Sequence, residues 1–129
     1  MPSRPVVLDT NFLLIPFQFK INIIRELEYL LEVSHHFVIS SKTLSELEKI
    51  GKSIGKSGMA ARLALKLVAA NRNRITVVQS NEYVDRWIED YAKANNAIVC
   101  TNDSELRMKL KDLDIKVVTM KSKSKLGFV

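Results

Sequence analysis

Five short runs of β-branched and other apolar residues punctuate the chain: Val6 to Asp9, His36 to Ser40, Ile75 to Val78, Ala97 to Thr101 and Lys116 to Thr119. Amphipathic helical stripes fill the intervals between them. They are Ile21, Ile24, Leu27, Leu30 and Leu31; Leu44, Leu47 and Ile50; Leu63, Leu67 and Val68; Val84, Trp87, Ile88 and Tyr91; and Leu106, Leu110 and Leu113. Four of the five runs are almost continuously apolar, as strands covered on both faces are. Strands joined through helices pair in parallel, so the pattern predicts an α/β fold with helices on both faces of one sheet. Such sheets bind ligands in the crevice beyond the carboxyl ends of their strands. The first run, VVLD, ends at such a place with Asp9.

At 129 residues and 47% apolar content, the chain is expected to form a single domain over residues 1–129. Its formal charge of +6 makes an anionic partner such as nucleic acid plausible and does not specify the fold. Cys100 is the one cysteine, which excludes a disulfide framework and a cysteine-ligated zinc site; inside AIVC it reads as a small buried hydrophobe. The N-terminus MPSRP shows no signal-peptide core, and no apolar stretch is long enough to span a membrane, so a cytoplasmic location is expected. GKSIGKSG at residues 51–58 resembles a phosphate-binding P-loop only superficially. Its spacing is one residue short and a helix precedes it, so it reads as a flexible basic connection between helices.

Taken singly, Asp9 reads as readily as a helix cap as it does as a functional acid. Asp103, in VCTNDSEL, holds the equivalent place after the fourth run, where Asn102 and Glu105 form a capping-box-like pair that leaves Asp103 free. Glu46 in SSKTLSELEKI and Asp85 beside Val84 lie near helix starts, placed to point along the top edge of the sheet. Four carboxylates in one cleft repel one another unless cations lie between them, and oxygen-only ligands suit Mg²⁺ or Mn²⁺. His35 and His36 belong to the opposite end of their strand. An acidic centre in a basic protein fits a nuclease, in which dications neutralise the reacting phosphate and Lys and Arg hold the flanking backbone.

The ordered set LDTN with Asp9, SELE with Glu46, D-x-x-I-x-x-x-A from Asp85 to Ala92, and TND with Asp103 resembles the PIN-domain ribonucleases. DTNFLLIPFQF and TNDSELR are most similar to an archaeal branch like the small-subunit rRNA-processing nucleases, often also labelled with the VapC toxins. The resemblance implies a five-stranded α/β/α sandwich that hydrolyses RNA with Mg²⁺ or Mn²⁺. Asp9, Asp85 and Asp103 would be metal ligands and Glu46 a ligand or its orienter, with Asn11 and Thr101 holding the carboxylates by hydrogen bonds. A homodimer is implied too, with an antitoxin or a pre-ribosomal particle as partner. Ser104 departs from the pattern, standing where many members carry a basic residue.

Lys42, Lys49, Lys52, Lys56, Arg62, Arg107 and Lys109 are candidates to hold RNA phosphates, together with a basic tail, KSKSK, from Lys121 to Lys125. Phe12, Phe17 and Phe19 are expected to pack the core or a partner surface rather than to stack bases. A phosphoacceptor receiver module shares the length and alternation, but Gln79 stands in TVVQSN where it needs an aspartate. A dinucleotide fold lacks its glycines after the first strand. The serious alternative is a non-catalytic PIN-like scaffold or RNA-binding protein, separable from an enzyme by divalent-ion titration followed by RNA cleavage.

Overall fold

The computed structural model describes residues 3–129. The elements run β1 (Arg4–Leu8), α1 (Thr10–Leu13), α2 (Ile15–Phe19), α3 (Ile23–Leu30), β2 (His35–Ser40), α4 (Ser41–Gly51) and α5 (Lys56–Ala70). They continue with β3 (Ile75–Val78), α6 (Val84–Asn95), β4 (Ile98–Cys100), α7 (Ser104–Asp112), β5 (Val117–Ser122) and β6 (Lys125–Phe128). The sheet order is β3-β2-β1-β4-β5-β6, parallel except for the antiparallel β5–β6 pair.

This order explains the two helical layers. The chain steps outward from β1 through β2 to β3, then returns across the centre to β4 and steps outward the other way. Because parallel crossovers keep one hand, reversing direction puts the later helices on the opposite face. Alternation along each strand supplies both cores. Val6, Leu8, Phe37, Ile39, Ile98 and Cys100 pack under α1 to α5, while Val7, Val38, Val99 and Val117 pack under α6 and α7 with Trp87, Ile88 and Leu106. Cys100 is fully buried, and burial pushes its thiol pKa up, as expected for an inert core residue.

The sheet has six strands rather than the five expected. The supposed basic tail turns back after Ser122 and pairs through Ser122 and Lys125, Met120 and Leu126, and Val118 and Phe128. Leu126 is buried against the first core, which pins the hairpin. The stripe expected on α5 is also rotated. Its buried face is Gly58, Ala60, Ala61, Ala64 and Val68, while Leu63 is exposed, because small residues let α4 and α5 approach closely.

The link between those helices is tighter than a flexible connection. Lys56 already begins α5, and the Arg62 guanidinium donates to the carbonyls of Gly51 at 2.6 Å and Ser53 at 3.2 Å. A Cβ on Gly58 would lie 2.0 Å from the Ser53 carbonyl oxygen. Alanine normally stabilises a helix interior by about 1 kcal/mol relative to glycine. Here Gly58→Ala is expected to destabilise instead, by about 1 to 3 kcal/mol, since a backbone carbonyl must move. A urea melt gives the sign directly. No helix among the described residues is long and apolar enough to cross a membrane.

Candidate functional site

The strand order reverses between β1 and β4, and a ligand crevice belongs at such a switch point. Asp9 directly follows β1 and Asp103 lies in the loop after β4. They line one cavity of about 450 Å³ with Glu46 from α4 and Asp85 from the first turn of α6; Asn11 and Lys49 line it too. All four expected acids therefore meet at the carboxyl edge of the sheet. His35 and His36 lie at the start of β2, bonded to the Val33 carbonyl and the Ser3 hydroxyl.

Asp9 is buried and tightly held. Its Oδ2 accepts from the Thr101 hydroxyl at 2.7 Å and from the Asn11 amide at 3.1 Å, and its Oδ1 accepts from the Thr10 backbone N–H at 2.8 Å. The same two supports reach the opposite loop. The Thr101 hydroxyl accepts from the Asp103 N–H at 3.0 Å, and Asn11 Oδ1 accepts from the Asn102 N–H at 3.0 Å. Thr101 and Asn11 thus couple the ends of β1 and β4, and with them Asp9 and Asp103.

The expectation that Asp103 is spared from capping is corrected. Its Oδ1 accepts from the N–H groups of Glu105 at 2.9 Å and Leu106 at 3.2 Å, making it the N-cap of α7. Asn102, the expected cap, instead accepts from the Thr119 hydroxyl and the Met120 N–H at the end of β5. Capping uses one carboxylate oxygen of Asp103 and leaves the other for a ligand.

Two further supports have no local sequence signal. Thr10 donates its hydroxyl to Glu46 Oε1 at 2.6 Å, tying an otherwise exposed side chain to the segment that follows Asp9. Ser41 donates to the Ser80 carbonyl and accepts from the Ser80 N–H, which fastens the approach to α6, and so Asp85, to the start of α4.

The electrostatics are repulsive. The pKa of Asp9 is raised from 3.8 to about 6, first by burial; its hydrogen bonds from Thr101 and Thr10 oppose the shift, and repulsion from Asp85 and Asp103 adds to it. The pKa of Asp85 is raised first by partial desolvation and then by Asp103, with Lys109 opposing and Glu46 and Glu89 adding. The ion pairs among the described residues, Arg74 with Glu28 and Arg86 with Asp90, involve none of the four site acids. Among the described residues, no three His, Cys, Asp or Glu side chains converge into a ready-made metal cluster. The donor chemistry nonetheless fits a hard dication: carboxylate oxygens, unpaired with cations, around one cavity.

The basic candidates separate by position. Lys49 lines the acidic cavity, and Lys109 is near enough to Asp85 to oppose the rise in its pKa. Lys42, Lys52 and Lys56 are exposed on or beside α4 and α5, whereas Arg62 is occupied by the turn carbonyls. Arg107 lines a different hollow. Phe12 is fully buried as expected and Phe17 partly so, but Phe19 is exposed.

A family model described as a PIN like domain matches residues 6–123, nearly the whole chain. The chain belongs to the PIN-like domain family. Ribonuclease VapC4 of Methanocaldococcus jannaschii is 40% identical to this PIN-like chain over 122 residues, covering 92% of it and 91% of the relative. Ribonuclease VapC9 of Archaeoglobus fulgidus is 33% identical over 119 residues, covering 92% and 84%. The rRNA-processing protein FCF1 of Saccharomyces cerevisiae is 28% identical, with 87% of this chain matching 57% of that protein. The PIN domain endonuclease Utp24 superposes with a TM-score of 0.80 at 24% identity, over 99% of this chain and 92% of that one, a likeness of fold.

Proposed function

We propose that this PIN-like chain is a ribonuclease dependent on Mg²⁺ or Mn²⁺. One observation carries the reading: four carboxylates, none ion-paired with a cationic side chain among the described residues, line one cavity at the switch point of the sheet. Kinship with two proteins named ribonucleases supports RNA as the substrate.

When bound, such an ion supplies Lewis-acid activation of water and neutralisation of phosphate charge. The chain's own residues arrange the rest. Asp9, held by three hydrogen bonds, and Asp103, fixed as a helix cap, present oxygens from β1 and β4. Asp85 contributes from α6, and Glu46 is aimed by Thr10. Lys49 and Lys109 attract the phosphate backbone toward an otherwise anionic cleft.

For the cellular role we favour a VapC-type ribonuclease with an antitoxin partner, because both relatives of that name match along nearly the full chain. The likeness to FCF1 supports a second reading, rRNA processing. Co-purification from the native cell separates them: a small antitoxin favours the first, and precursor ribosomal particles favour the second. The catalytic reading is tested on metal-stripped protein with single-stranded RNA. Cleavage should return on adding Mg²⁺ or Mn²⁺; RNA binding without cleavage in either ion would support the scaffold alternative instead.

Thr101→Val tests the support of the site. It removes the hydroxyl that donates to Asp9 and accepts from the Asp103 N–H while keeping the side-chain volume. Divalent affinity is expected to fall about 10- to 100-fold, the usual cost of losing an outer partner of a metal ligand. Isothermal titration with Mn²⁺ measures it.

A further inference from the structure

Neighbouring residues of the Thr101–Asp103 loop line different hollows. Asp103 lines the acidic cavity, whereas Asn102 lines a second hollow of about 340 Å³ with Phe19, Arg107, Lys121 and Lys123. That volume is at the small end of the roughly 300 to 1,000 Å³ typical of small-ligand sites. No carboxylate lines it, and its three cations contrast with the anionic cleft on the other side of the loop.

The orientation of Asn102 is fixed by chemistry. Its side-chain oxygen accepts from the Met120 backbone N–H at 3.0 Å and from the Thr119 hydroxyl at 3.0 Å, so the amide NH₂ must be the opposite arm. Among the described residues that NH₂ meets no acceptor, which leaves it as a donor for something else. Phe19, the last residue of α2, is 41% exposed, a large apolar ring left at the rim. Lys121 and Lys123 come from the β5–β6 hairpin. The Lys121 stem lies across Gly127, where a Cβ would come within 2.9 Å of Lys121 Cγ, so the bare glycine makes room for it.

An aromatic face, three cations and one directed amide donor match the parts of a nucleotide. We propose that this hollow is a subsite for the nucleotide flanking the bond to be cut. Phe19 stacks on its base, Arg107, Lys121 and Lys123 hold its phosphate, and the Asn102 NH₂ donates to an acceptor atom of the base. The inference rests on the ribonuclease reading for its substrate, and it adds base contact to an enzyme otherwise expected to grip only phosphates.

The test is binding in EDTA, so that cleavage plays no part, of a fluorescent oligouridylate about ten nucleotides long and an abasic oligomer of equal length. The parent should prefer the uridylate about tenfold, the scale of one base stacked on an aromatic ring. Phe19→Ala should bind the two oligomers equally, and Phe19→Trp should restore the preference. Lys121→Ala should weaken both oligomers alike. Equal or undetectable binding of the two by the parent, or a preference that survives Phe19→Ala, overturns the subsite. Because Phe19 is exposed, a thermal melt of each variant matching the parent shows that the fold is not the cause. Cleavage of RNA by the same parent preparation in Mn²⁺ is scored separately. Cleavage without base preference overturns the subsite alone; a Phe19-dependent preference without cleavage supports the subsite and overturns the nuclease reading.

Discussion

Asp103→Asn is expected to lower RNA cleavage at least about 100-fold, the order lost when one preorganised electrostatic contact is removed from a reacting centre. It should do so in a folded protein. Asp103 caps α7 through one oxygen, which accepts from the Glu105 and Leu106 N–H groups, and asparagine caps a helix as well as aspartate does. The substitution therefore keeps the local hydrogen bonds and removes a charge. Asp9→Asn should lose at least as much activity but is a less clean probe. Its Oδ2 accepts from both Thr101 and Asn11, and an NH₂ in that place would face the Asn11 amide donor and compete for the Thr101 hydroxyl already bonded to the Asp103 N–H. Single-turnover cleavage in saturating Mn²⁺ measures both variants. Parent-like cleavage by pure, folded Asp103→Asn would remove the proposed role of this carboxylate.

The alternation of strand and helix and the placement of Asp9 and Asp103 were legible because doubly covered strands leave continuous apolar runs, and a carboxylate that ends such a run stands out. Hydrogen bonds from Thr101 and Asn11 to a site carboxylate were expected from family resemblance alone, and both reach Asp9. What the chain hid is tertiary. The Asn102–Glu105 spacing suggested a capping box, but two bonds to β5 outcompete the local cap and shift capping to Asp103. The bond from Thr10 to Glu46 spans 36 positions and has no local trace. The short helices α1 and α2 carry too few turns to print a period, and Pro16 interrupts the pattern further. On α5 Ala60, Ala61 and Ala64 are fully buried while Leu63 is exposed and Leu65 and Leu67 are only partly buried, because close approach to α4 favours small residues at the centre of the contact. The last strand is invisible in KSKSKLGF because pairing with β5, not its own composition, makes it a strand.

The metal-free protein should lose stability as pH rises, opposite to the behaviour of a salt-bridged aspartate. The folded-state pKa of Asp9, about 6, lies above its ordinary 3.8, so the folded state binds this proton more tightly than the unfolded chain does. The contribution is fully present below pH 3.8 and is lost as pH climbs through about 6. The size is about 3 kcal/mol, since each tenfold difference in proton affinity between the two states is worth roughly 1.4 kcal/mol. Asp85 shifts in the same direction and adds to the trend. Other groups titrate in this window, so the readout is the difference between parent and Asp9→Asn in urea melts at pH 4.5 and 7.5. The altered hydrogen bonds of the variant displace that difference by a constant, whereas the proton linkage tilts it, making Asp9→Asn relatively more stable at the higher pH. Divalent ions should offset most of this loss, because they compete with the proton for the same oxygens. At about 100 times its dissociation constant a bound ion contributes about 2.7 kcal/mol. Mn²⁺ should therefore raise the melting temperature of the parent at pH 7.5, much less so at pH 4.5, and scarcely at either pH in Asp9→Asn. A parent-minus-variant difference that stays flat between the two pH values would mean that Asp9 is already ionised without penalty in the folded chain, and that the cleft has no stored repulsion for a dication to relieve.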